Sequence, residues 1–86
     1  WFILENRKII AFGIQYLTKI NNKWQQVLRV DTMHGYAHEH KFHFRKKRHD
    51  HATVLSKNEA DYDKIYHEQL KIIEEDYTKI KENYLL

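Results

Sequence analysis

Six of the seven histidines in this chain fall between His34 and His51, beside Arg29, Asp31 and a dense run of basic residues. Histidine titrates near neutrality, so two imidazoles can act as base and acid within one step. RNA carries its own nucleophile, the 2′-hydroxyl. Its cleavage needs a base at that hydroxyl, an acid at the leaving oxygen and a cation near the phosphate. His34, His38 and His40, with Arg29, are of the right types, and Asp31 can orient a histidine as carboxylates commonly do. His38 and His40 are the acid–base candidates, and Arg29 is the phosphate contact.

Two other accounts of the same residues stay open. His38 and His40, at i and i+2 on one strand face, form a ligand pair that Asp31 or His34 would complete as a metal site. Against this stand the lack of a helical HExxH spacing and the cationic crowding from Lys41 to Arg48. The plainest account is structural: His43, His49 and His51 on an exposed strand and loop, with His38 and His40 satisfied inside a half-buried sheet.

Lys41, Arg45, Lys46, Lys47 and Arg48 form the densest basic stretch, interleaved with Phe42, His43 and Phe44. That mixture suits phosphate contact combined with base stacking. A charged strand end that discourages edge-to-edge association is the simpler alternative. The charge is split along the chain. Residues 1–51 hold ten Lys/Arg against four Asp/Glu, and residues 52–86 hold five against eight, which gives the overall +3. A basic half beside an acidic half implies a polyanion-facing surface and a separate solvated or partner-facing one.

The chemistry must be positioned by a small body. Eighty-six residues make one domain with a marginal core. There is no cysteine, which removes disulfides and thiolate metal sites. The apolar runs fall short of the roughly 20 residues that span a bilayer, so no membrane partner is expected. The chain starts at Trp1 rather than Met, which implies a short segment upstream.

Ile10, Phe12, Ile14 and Tyr16 alternate along one strand face. Asn21-Asn22 tolerates left-handed backbone and marks a tight turn. Trp24, Gln26, Leu28 and Val30 then alternate with Gln25, Val27, Arg29 and Asp31 to complete a hairpin. A turn at His34–Ala37 contains Gly35. It leads to a third alternating run with His38, His40, Phe42 and Phe44 on one face. Val54 and Leu55 supply a short fourth strand or an anchor.

From Ser56 the period changes. Ser56 or Asn58 serves as N-cap, and Glu59, Asp61 and Asp63 load the first turns with the charge a helix start favours. Tyr62, Tyr66, Leu70, Ile73, Tyr77, Ile80 and Tyr84 form an apolar stripe, widened by Ile65 and Ile72. The expectation is an α+β fold: a three- to four-stranded antiparallel β-meander followed by one long C-terminal α-helix. The strands fall at about 8–18, 23–31 and 38–46, and the helix at about 57–85. Such a helix, roughly 40 Å long, exceeds the width of a three-stranded sheet. Its far end, with Tyr77, Ile80 and Tyr84, is therefore expected to overhang and to make a homodimer or a hetero-complex.

The string Arg29-Val-Asp31-Thr-Met-His34-Gly35-Tyr-Ala-His38-Glu-His40 resembles the Arg-x-Asp-(several residues)-His-x-His core of small TumE-like proteins, encoded as toxins of prokaryotic toxin–antitoxin pairs. The resemblance rests on residues 25–45 and on a similar order of elements. It departs where Lys46-Lys47-Arg48-His49-Asp50-His51 follows the third strand. The resemblance implies a small cytoplasmic protein neutralised by an antitoxin partner, with Arg29, Asp31, His34, His38 and His40 inheriting the motif's role. A metal-independent, histidine-dependent ribonuclease acting on RNA without a cofactor leads the functional readings. A non-catalytic nucleic-acid- or protein-binding module is the second, and a His-rich metal-binding protein the third.

Overall fold

A computed structural model of the chain describes residues 1–45 and 52–86. It is an α+β fold: an antiparallel sheet of five strands in sequence order, followed by one C-terminal helix. The strands are β1 (Phe2–Glu5), β2 (Lys8–Ile20), β3 (Lys23–Asp31), β4 (Ala37–Lys41) and β5 (Thr53–Ser56), and the helix is α1 (Tyr62–Leu85).

The strand count exceeds the three or four read from the alternation. β1 had no signal of its own. Phe2, Ile3 and Leu4 are consecutive apolar residues without a period, and all three are exposed. It pairs with β2 through a tight turn at Asn6-Arg7, both left-handed at φ 51° and 66°. Asn21 and Asn22 do the same between β2 and β3, at φ 52° and 65°. Asparagine tolerates this conformation because its short polar side chain bonds locally.

β4 is shorter than the expected run to residue 46. It ends at Lys41, and a backbone bond from Phe42 N to Val27 O (3.1 Å) extends the pairing. By Phe44 the chain has left the sheet, because Phe44 N donates to Tyr84 O of α1 (2.9 Å). Lys46, Lys47, Arg48, His49 and His51 lie outside the described residues.

One side of the sheet carries the core. Phe12 and Val30 are fully buried, and Ile9, Ile14, Ala37, Tyr62 and Ile65 join them. The Phe12 ring meets Tyr62 and Tyr66 edge-on, at centroid distances of 6.2 and 5.4 Å. Edge-to-face packing aligns the positive ring edge with the negative face of its neighbour.

The helix begins later than expected. Asn58 Oδ1 accepts from Ala60 N (3.0 Å) and caps a 3-10 turn, Glu59–Asp61, which feeds α1. Ser56 locks the approach by donating to Asp61 Oδ2 at 2.8 Å.

The overhang inferred for the helix does not occur as drawn, because α1 runs along the long strand β2 rather than across the sheet. Asp63 accepts from Ile9 N at one end, and Tyr16 Oη donates to Tyr77 O further on. Between those anchors the strand covers about 23 Å and the helix about 21 Å, so their lengths match. A break at Asp76 (φ −115°, ψ 16°) then redirects the last turns. Tyr84 is buried against Phe44, with ring centroids 5.9 Å apart. Tyr84 is therefore a packing residue rather than a partner-facing one. Ile80 is half-buried, and Tyr77 stays exposed. Among the described residues no helix is long and apolar enough to cross a membrane.

Burial pushes the Tyr62 and Tyr84 phenols up from their ordinary value, with the Glu59 carboxylate adding to the effect on Tyr62. The folded state thus prefers the neutral phenol. The resulting stability is present below the ordinary tyrosine range of about 10 and is lost as pH rises beyond it. Urea midpoints should fall more steeply above that pH in the wild type than in the Tyr62→Phe/Tyr84→Phe variant. Phe12→Ala should cost about 3–5 kcal/mol in the same assay, whereas Tyr77→Ala should stay within about 0.5 kcal/mol.

Candidate functional site

The sheet face opposite α1 is polar, and the register decides what gathers there. Across β3 and β4, Arg29 pairs with His40 and Asp31 with His38. Directly opposed residues of an antiparallel pair point to the same side, so these four side chains share one face. On β2, Gly13 lies opposite Asp31 and Gln15 opposite Arg29, which adds both to that face.

Asp31 organises the group. It is 6% exposed, and its Oδ2 sits 3.0 Å from Arg29 Nε while its Oδ1 sits 3.0 Å from His38 Nε2. Oδ1 also accepts from Met33 N at 3.1 Å. That last bond, from a side chain to the amide two residues on, turns the chain out of β3 and into a 3-10 turn, Met33–Gly35. Thr32 ties the same corner to β2, since Phe12 N donates to Thr32 Oγ1 (3.0 Å) and Thr32 N to Phe12 O (3.1 Å).

His38 is 3% exposed. Its Nδ1 lies 3.0 Å from Tyr36 O and its Nε2 faces Asp31. A backbone carbonyl and a carboxylate thus occupy the two ring nitrogens. His38 is therefore held rather than offered to solvent.

The remaining rings surround it. His40 meets His38 edge-on at 5.0 Å, Tyr36 lies at 4.9 Å and His34 at 6.4 Å. His40 stacks in turn on Phe42 at 6.4 Å. His34 is exposed and left-handed at φ 70°, next to Gly35 at φ 84°. Such backbone in a non-glycine residue stores strain of order 1 kcal/mol.

Arg29, Asp31, His34, His38 and His40 thus converge on one open cleft of about 370 Å³, closed by Met33, Tyr36 and Ala52. A contiguous cleft of about 430 Å³ shares Arg29, Asp31 and Met33 and extends to Trp1, Gly13 and Gln15. Trp1, Met33, Tyr36 and Gln15 were not singled out from sequence.

Lys41 and Arg45 do not line the cleft. Lys41 pairs with Glu39 at 3.7 Å, and both line a separate apolar cavity of about 160 Å³ between β3, β4 and α1. Arg45 is exposed beyond the end of β4. Lys46, Lys47 and Arg48 are outside the described residues. Among the described residues no group of three or more His, Cys, Asp or Glu is placed to hold a metal ion.

The chain is thus a small α+β protein with a helix on one face of its sheet and an arginine–carboxylate–histidine cleft on the other. It belongs to the family of the domain of unknown function DUF7718, whose profile matches residues 1–85. No match was found among curated proteins or among solved structures.

If Asp31 holds both Arg29 and His38, Asp31→Asn weakens the hold on a buried histidine and loosens Arg29. The cost should be about 3 kcal/mol in urea unfolding. A double-mutant cycle with His38→Asn should show strong coupling. Additive effects of the two substitutions would refute the contact.

Proposed function

We propose that this protein is a metal-independent ribonuclease, the toxin of a prokaryotic toxin–antitoxin pair. The observation that carries the reading is the β3–β4 register, which sets Arg29 opposite His40 at the mouth of a cleft whose floor is the Asp31–His38 pair. The Arg-x-Asp…His-x-His string that resembles TumE-like proteins is the same set of residues.

The roles follow from accessibility. His38 is a positioning residue, because both of its nitrogens are engaged. Proton exchange falls to His40 and His34, which flank it. One takes the proton of the 2′-hydroxyl as its oxygen attacks phosphorus, and the other delivers a proton to the departing 5′-oxygen. The products are a 2′,3′-cyclic phosphate and a free 5′-hydroxyl. Arg29, about a third exposed, offers its guanidinium to the phosphate while Asp31 fixes its direction. No cofactor is required.

On this reading the protein acts on RNA in the cytoplasm, with an antitoxin as protein partner. Ile72 and Tyr77 are the exposed apolar residues of α1 available to such a partner or to a second copy.

A non-catalytic nucleic-acid-binding module is the second reading, favoured by the immobilisation of His38. One experiment separates the two. Wild-type protein incubated with several RNAs in chelator should yield cyclic-phosphate ends, and 2′-O-methyl RNA should stay intact. His40→Ala should lose at least about 100-fold in rate with its far-UV spectrum unchanged. Uncleaved RNA in every case sinks the enzyme. Salt-dependent binding that weakens when Lys46, Lys47 and Arg48 are neutralised would then favour the module.

A further inference from the structure

Trp1 packs on the sheet beside the candidate site. Gly13 N donates to Trp1 O, and the Trp1 nitrogen donates to Gly13 O, each at 2.9 Å, so the residue is fixed by a ladder pair. Its indole covers the face of Gly13. A Cβ on residue 13 would collide with the indole Nε1 and sit 2.7 Å from Cε2. The absence of a side chain at residue 13 is what lets the ring approach. Gly13 pairs with Asp31, so the ring rests on the same face as Arg29, Asp31, His38 and His40.

Trp1 is 63% exposed even though its indole packs against Gly13. It forms one wall of the cleft that also contains Gln15, Arg29 and Met33. A large exposed aromatic face held rigidly beside an arginine is unusual for a surface that serves only to enclose a core. It matches a stacking platform next to a phosphate contact.

We infer that Trp1 is a base-stacking subsite, and that the cleft takes single-stranded RNA with one unpaired nucleobase on the indole and the adjoining phosphate on Arg29. This rests on the ribonuclease reading and narrows it to a substrate class. In a duplex both faces of an internal base are covered by its neighbours, so the ring has no base face to meet. A splayed base in a single strand or a loop presents one. Gly13 is a positioning residue in this account, because it acts by letting the ring lie down.

The test uses the fluorescence of Trp1 in the full chain carrying Trp24→Phe. Trp24 sits near the turn end of the hairpin, beneath the Lys19 ammonium, and lines none of the clefts at the site. Titration with a short 2′-O-methyl single strand, which binds without being cleaved, should quench the indole, and the same sequence as a perfect duplex should not. Trp1→Leu should weaken binding of the single strand by on the order of 10-fold in a filter or gel assay. Trp1→Phe should retain most of it, and Gly13→Val should reproduce the loss by lifting the ring.

Equal quenching by duplex and single strand overturns the inference. So does binding of the single strand with Trp1 fluorescence unchanged, or no binding of the single strand at all. The two proposals fail separately. Quenching without cleavage of unmodified RNA removes the enzyme and keeps the subsite, while cleavage without quenching removes the subsite and keeps the enzyme.

Discussion

The pairing of β3 with β4 is the constraint on which the candidate site depends. An antiparallel ladder assigns each side chain to one of two faces, and a slip of one residue would exchange them all. In the observed register Val30 lies opposite Glu39 and faces α1, while Arg29 and Asp31 meet His40 and His38 on the other side. The burial of Val30 and Ala37 in the core therefore fixes the polar cluster as well. Apolar packing on one face sets the geometry of charged groups on the face behind it.

The two faces are kept apart by the way the helix is laid. Because α1 follows β2, its apolar stripe is consumed by Phe12, Ile14 and Tyr16, and the opposite face receives no helix. A sheet covered on one side alone is the ordinary arrangement for antiparallel strands. Here the break at Asp76 extends the cover. It swings the last helical turns towards Phe42 and Phe44, where Tyr84 closes the apolar cavity over Val27 and Leu28. Val27 and Leu28 both face that cavity because the register shifts between Tyr16 and Leu17, leaving Val27 as an extra residue in β3. On β2 the alternation runs on past the bulge, so that Thr18 is buried with Phe12 and Ile14 and Leu17 is exposed.

That bulge also marks the limit of what could be read in advance. The alternation of Phe12, Ile14 and Tyr16, the Asn21-Asn22 turn and the stripe on α1 were legible, because each is a local pattern with a local cause. Arg29, Asp31, His38 and His40 could be chosen by type. Their convergence could not, since it needs the register across the Met33–Gly35 turn, which an Asp31 side-chain bond and a left-handed His34 decide. Counting back from Asn21-Asn22 without the bulge would place Gly13 opposite Val30, on the wrong face. With it, Gly13 meets Asp31, and Trp1 comes to lie beside the cluster. The third strand of that reading, β4, ends at Lys41, short of the expected residue 46, for a related reason. Alternation predicted a continuing strand, but the long-range bond from Phe44 to Tyr84 draws the chain away from it.

The Asp31 network is better explained by use than by stability. Withdrawing the Asp31 carboxylate from water costs several kcal/mol, and its attraction to a partner often does no more than offset that cost. Apolar residues of similar volume would hold strands together as well. Nor does the network fill a core, since the face it occupies is not covered by α1. Its geometry does have one further consequence. With His38 clamped between Asp31 and Tyr36 O, the neighbouring His40 ring has a rigid edge to pack against, and Arg29 has a fixed anchor. Catalytic constellations need this kind of support, because a group that wanders by an ångström loses most of its effect. The proposed division of labour, with His38 holding and His40 reacting, follows from that rigidity rather than from the number of histidines.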